Sequence, residues 1–173
     1  IKTIWLFNFI SAKLNIWSRI KPGRFEIKKG SSISDVVRMF RNNTQSPVRL
    51  TINTLRLNED LAKLIGKNFA EDSASAAAFL LNNDSLIALG ADTNTLKTFI
   101  IPNTYFFNWN AGVQTIVKKL KEESERFWQK NNRIEKAAEA GLTPQQVYII
   151  ASITEQETNM QEDKGKIASV YIN

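Results

Sequence analysis

Two glutamates, Glu155 and Glu157, stand near the end of a run from Val147 to Thr158 whose first seven residues are almost entirely apolar. The sequence has no cysteine and no histidine. Thiol nucleophiles, Cys/His zinc sites, Ser-His-Asp triads and histidine general bases are thereby removed, and acid/base chemistry falls to carboxylates, lysines or tyrosines. On a helix turning about 100° per residue, Glu155 lies beneath Ala151 and Val147, while Glu157 lies beneath Ile153 and Ile150 on the opposite side. The two carboxylates do not share a face. A helix apolar on every side is a buried helix, and a carboxyl at its end loses hydration, which favours the protonated form a general acid needs. The plain alternative is that both glutamates sit solvated at the helix end, paired with Lys164 or Lys166. The helical pattern taken alone favours that alternative.

The elements that must position this helix are legible upstream. Gly141 breaks the chain, and Thr143-Pro144-Gln145-Gln146 supplies an N-cap, a proline at the first helical position and a glutamine at the third, a capping-box pattern. Ala111 to Ala140 reads as a long charged helix or helix pair with Val113, Ile116, Val117, Leu120, Phe127 and Trp128 on its apolar side. Ser73 to Leu89 reads as an Ala- and Leu-rich helix stopped by Gly90. Between them, Phe99 to Phe107 clusters bulky groups around the Pro102-Asn103 turn.

Nearer the start, Ile4 to Trp17 has close to helical spacing and predicts a short amphipathic helix packed on its neighbour. Pro22-Gly23 is a turn, Arg24-Phe25-Glu26-Ile27 alternates like a strand, and Ser31 or Ser32 caps a helix over Ile33 to Phe40. Val48 to Ile52 alternates as a second strand, and a helix follows from about Asn58 to Ile65. The fold class is α+β: an N-terminal helix (1–20), a small α/β subdomain (21–68) and a mainly helical portion (69–173).

The residues also carry a resemblance. Ala151-Ser152-Ile153-Thr154-Glu155-Gln156-Glu157-Thr158, followed by Lys166-Ile167-Ala168-Ser169-Val170-Tyr171-Ile172-Asn173, resembles the paired signature of the MltG (YceG-like) endolytic murein transglycosylase family, approximately A-S-I-[IV]-E-K-E-T and K-[VI]-A-S-V-[FY]-x-N. Lys21-Pro22-Gly23-Arg24-Phe25 resembles the family's K-x-G-x-[YF] strand, and Pro102-Asn103-Thr104-Tyr105 its P-D-T-Y turn, so the likeness spans most of the chain. Asn103 replaces the usual Asp and Gln156 the usual Lys. The family's downstream Q-[ST]-D-P-T type motif lies beyond Asn173.

The resemblance implies a LysM-like module over 21–68 and Glu155 as the essential acid/base. It implies cleavage of the MurNAc-GlcNAc β-1,4 bond inside a glycan strand, giving a 1,6-anhydro-MurNAc end. A hydrolase usually needs two carboxylates; here the sugar's own 6-hydroxyl attacks, so one glutamate serves as acid and then base. Glu157, Ser152, Tyr105, Asn103 and Asn173 are candidates for substrate contact or support, with Tyr105, Phe106 and Trp109 able to stack on sugar rings, although aromatics beside a proline turn more often pack in a core. The expected partners are peptidoglycan strands and, as candidates, cell-wall synthases. The expected place is the extracytoplasmic face of the bacterial cell membrane, with neither metal nor organic cofactor. The chain reads as a fragment whose membrane anchor lies upstream and whose C-terminal part lies downstream.

Two rivals remain. One is a non-catalytic peptidoglycan-binding or scaffold module. The other is a pyridoxal-phosphate lyase on a chorismate-derived substrate, a label the family has carried, but no Gly-rich phosphate cradle is present. The net charge of +6 over 173 residues suits an anionic partner. Its basic residues run no longer than two in succession, unlike the stripe of a nucleic-acid reader, and no stretch reaches the roughly 18 apolar residues of a membrane span.

Overall fold

The computed structural model describes residues 4–172. It is mixed α and β, as expected: nine α-helices and one two-stranded antiparallel sheet among the described residues. Helix α1 (Ile4–Lys13) is shorter than its apolar pattern, because Asn15 enters the left-handed region and turns the chain. It packs on α2 (Ile33–Arg41) through Phe7, whose ring meets that of Phe40. It is not amphipathic, since its outer side carries exposed Trp5 and Phe9. Helix α2 starts as its sequence predicts: Ser32 Oγ accepts from the Asp35 N–H at 3.1 Å, and Val36 and Val37 are buried.

The strand expected over Arg24–Ile27 does not form. The Arg24 carbonyl accepts a bond from the Ser46 N–H, and Phe25 leans on Phe40, but no ladder develops. Strand β1 (Val48–Ile52) instead pairs with β2 (Asn103–Phe107), with Leu50 opposite Tyr105. The sheet thus joins a strand from residues 21–68 to one from residues 69–173. Val48, Leu50 and Ile52 face inward, as their alternation requires.

Helices α3 (Asn58–Asn68) and α4 (Ser73–Leu80) pack tightly beneath the sheet. Gly66 permits the close approach, because a Cβ there would lie 2.5 Å from the Ser73 backbone nitrogen. The single helix expected over 73–89 is two: Asn82 Oδ1 accepts from the N–H groups of Asp84 and Ser85 and starts α5 (Asn83–Ile87). Gly90 then ends α5 at positive φ, as predicted. Helix α6 (Val113–Gln129) lays Val113, Ile116, Val117 and Leu120 into the same core. Asn131 and Asn132, both left-handed, break the following stretch before α7 (Arg133–Glu139).

The last two helices, α8 (Pro144–Glu157) and α9 (Gln161–Ile172), form a hairpin. The capping box at the start of α8 is present, with Thr143 Oγ1 accepting from the Gln146 N–H. The expected burial of α8 is not: Thr154 is its one buried residue, and Ile149 is exposed. An all-apolar helix requires cover, but the pattern cannot say which surface provides it.

Candidate active site

Helices α7, α8 and α9, the end of α6 and the Ile101-Pro102 segment enclose an open cleft of about 710 Å³. Its walls are mostly apolar, with Trp128, Ile150 and Ala168 among them. Its charged residues are Glu155, Lys164, Arg133 and Lys136. Among the described residues that line the cleft, Glu155 is the sole carboxylate.

Glu155 sits on the last turns of α8, and Lys164 comes from the first turn of α9, so the hairpin brings together residues nine apart in the chain. The Lys164 ammonium donates to Glu155 Oε2. The Glu155 side chain keeps 68% of its surface exposed, against 24% for Lys164. The desolvated carboxyl expected from the apolar run is therefore absent, and the observed pairing is the one the helix-end alternative named. Glu157 is exposed and outside the cleft lining, as its opposite helical phase predicts.

The other candidate residues divide. Ser152 is exposed and spends its hydroxyl on the Ile149 carbonyl at 2.7 Å. Asn103 is exposed at the start of β2, its Oδ1 accepting from the Thr104 N–H. Asn173 lies outside the described residues. Phe106 and Trp109 are exposed but do not line the cleft. Tyr105 is not a sugar platform: it is 4% exposed, inside the core. Its place follows from the strand alternation that turns Tyr105 and Phe107 inward and Phe106 outward.

Tyr105 nevertheless shapes the site. Its hydroxyl donates to the Ile101 carbonyl, and the Tyr148 hydroxyl, reaching from α8, donates to the neighbouring Ile100 carbonyl at 2.9 Å. The wall segment Ile101-Pro102 is thus held from the core on one side and from α8 on the other. Burial pushes the Tyr105 phenol up to about 12, assisted by the negative charge of Glu123 and by Tyr148. Burial also raises Tyr148.

Lys164, Arg133 and Trp128 were not singled out from the sequence. Lys164 was named only as a salt partner, and nothing local predicts that α7 brings Arg133 over the Phe127 ring at 4.1 Å. No group of three or more His, Cys, Asp or Glu side chains among the described residues is arranged to hold a metal. No described helix is long and apolar enough to cross a membrane.

The profile of the YceG-like family matches residues 1–173. The chain belongs to the YceG-like family. The fold likeness agrees: the crystal structure of a YceG-like protein from Listeria monocytogenes aligns with a TM-score of 0.57 at 16% identity, over 92% of this chain. The chain spans 57% of the length of that Listeria protein. No curated protein matches the sequence.

Proposed function

We propose that this YceG-like chain carries the acid/base of an endolytic peptidoglycan lytic transglycosylase, with Glu155 in that role. The observation that carries the reading is the lone carboxylate. Hydrolysis by a retaining or inverting route calls for a second carboxyl at about 5–9.5 Å, and among the described residues the cleft lining offers none beside Glu155. One carboxyl suffices when the nucleophile is the substrate's own hydroxyl.

In the proposed reaction, Glu155 gives its proton to the β-1,4 glycosidic oxygen as the bond to the MurNAc anomeric carbon breaks, releasing the GlcNAc hydroxyl. The Glu155 carboxylate then accepts the proton of the MurNAc 6-hydroxyl as that oxygen closes on the anomeric carbon. The product is the 1,6-anhydro end, no water is consumed, and Glu155 ends protonated as it began. The Lys164 ammonium donates to Glu155 Oε2, so the proton that Glu155 delivers must sit on Oε1 or the ion pair must open first. Arg133, Lys136 and Lys164 suit a substrate bearing carboxylates, as wall peptides and lactyl groups do.

The same reading places the protein on the extracytoplasmic side of the cell membrane, with glycan strands and wall synthases as partners and residues 21–68 as a LysM-like segment. Its test is digestion of purified glycan strands by the protein and by Glu155→Gln, with products read by mass spectrometry. Anhydro-MurNAc ends from the wild type alone support the assignment. Silence from both, with glycan binding retained, transfers the protein to the binding-module reading.

A further inference from the structure

The basic charge is not spread along the chain. Residues 1–31 hold seven Lys and Arg against one acid, Glu26, which is the whole net charge of +6; from Ser32 onward the sixteen basic and sixteen acidic residues cancel. Lys13, Arg19, Lys21, Arg24, Lys28 and Lys29 are all exposed. None of them takes part in an ion pair among the described residues.

The same stretch carries an uncovered apolar face. Helix α1 is apolar on both sides, and α2 covers only the side of Phe7. The other side leaves Trp5 71% and Phe9 62% exposed, while Trp17, in the turn beyond, sets its ring edge-on against Phe7. The turn itself is anchored, since Ile16 is 1% exposed and the Pro22 carbonyl accepts from Asn110 Nδ2 at 2.9 Å. A fixed element therefore presents tryptophan and phenylalanine outward, bordered by unpaired cations.

We infer that α1 and the turn after it form a docking face for an anionic lipid bilayer surface, with Trp5 and Phe9 entering the headgroup and acyl boundary and Lys13, Arg19 and Lys21 meeting lipid phosphates. Indole and phenyl rings settle at that boundary, and basic side chains beside them add attraction to acidic headgroups. The charge selects this occupant over a second copy of the chain: two such faces brought together would oppose one another with unpaired cations. The inference stands apart from the reaction assigned to the α8–α9 cleft.

The test is flotation of the purified protein with vesicles of phosphatidylethanolamine and phosphatidylglycerol, beside vesicles of phosphatidylcholine alone. Binding to the anionic vesicles is expected, weakened by salt, with a blue shift of tryptophan emission. The double variant Trp5→Ser, Phe9→Ser, at exposed positions, should keep the wild-type circular dichroism and melting temperature and bind at least ten-fold more weakly. Each of Lys13→Gln, Arg19→Gln and Lys21→Gln should weaken binding roughly five-fold at low salt. Equal binding by the double variant, equal affinity for both vesicle types, or self-association with no vesicle binding would each overturn the inference.

Discussion

From β1 to α6 the chain buries nineteen side chains in one apolar cluster, whereas α8 and α9 together bury only Thr154, a polar residue. The first region holds itself by removing apolar surface from water, the dominant favourable contribution to folding. The second is held by a few point contacts: the Thr143 capping box, the long-range bond from the Tyr148 hydroxyl to the Ile100 carbonyl and the pairing of two helices across a short turn. The residue proposed for chemistry lies in the second region. The contrast teaches that the residue proposed for the reaction can stand outside the packed core that carries stability.

The largest expected effect is on catalysis. Glu155→Gln should lower turnover of glycan strands by about 10²- to 10⁴-fold while leaving the melting temperature unchanged, because the side chain is exposed and its ion pair with Lys164 is a surface contact. A large fall in stability would break the comparison. Next comes Leu50→Ala at the centre of β1, which is fully buried. It should cost about 2–5 kcal/mol in urea unfolding, with the activity of the remaining folded protein unchanged.

Tyr105→Phe tests the boundary between the two regions. Loss of the hydroxyl leaves the Ile101 carbonyl without its partner and should cost about 1–2 kcal/mol, with KM for glycan changed little, since the ring touches core and not substrate. Its pH dependence has a definite sign. The phenol ionises near pH 10 when unfolded and is pushed up to about 12 when folded. Its contribution is fully present below pH 10 and is lost as pH rises from about 10 to about 12; a pH series of melts on wild type and Tyr105→Phe should differ in that window.

Smaller still, Thr143→Ala removes the cap of α8 and should cost about 1 kcal/mol, seen as faster amide exchange in the first turn of that helix. Smallest is Ile149→Ser, exposed on α8, expected to stay within about 0.5 kcal/mol of wild type. A core-sized loss at Ile149 would place α8 in the first region after all.

Local signals were the readable ones. The helix cap at Ser31 or Ser32, which the structure puts at Ser32, the capping box at Thr143, the alternation of Val48, Leu50 and Ile52, and the stop at Gly90 depend on residues within a few positions of each other, and the structure contains all four. The break at Asn82 was missed because an apolar count outweighed a side chain able to cap a new helix. The partner of β1 was missed because pairing with β2 is a tertiary choice. In the site, the helical phase correctly separated Glu155 from Glu157. The ion pair to Lys164 depends on the turn at 158–160, and the exposure of α8 depends on what packs against it; neither is encoded within the helix itself.

The pairing of β1 with β2 also sets an order of events. Its opposed residues are 51 to 59 positions apart in the chain, so the sheet can form only after a long loop has closed, an entropic cost that local helices do not meet. Helices α3 and α4, contiguous and in close contact through Gly66, can assemble earlier. In a refolding experiment, helical circular dichroism should recover before amide protons of Leu50 and Tyr105 become protected from exchange. The wall that Tyr105 holds at Ile101 would then be completed in the same late step, making the cleft one of the last features of the molecule to take shape.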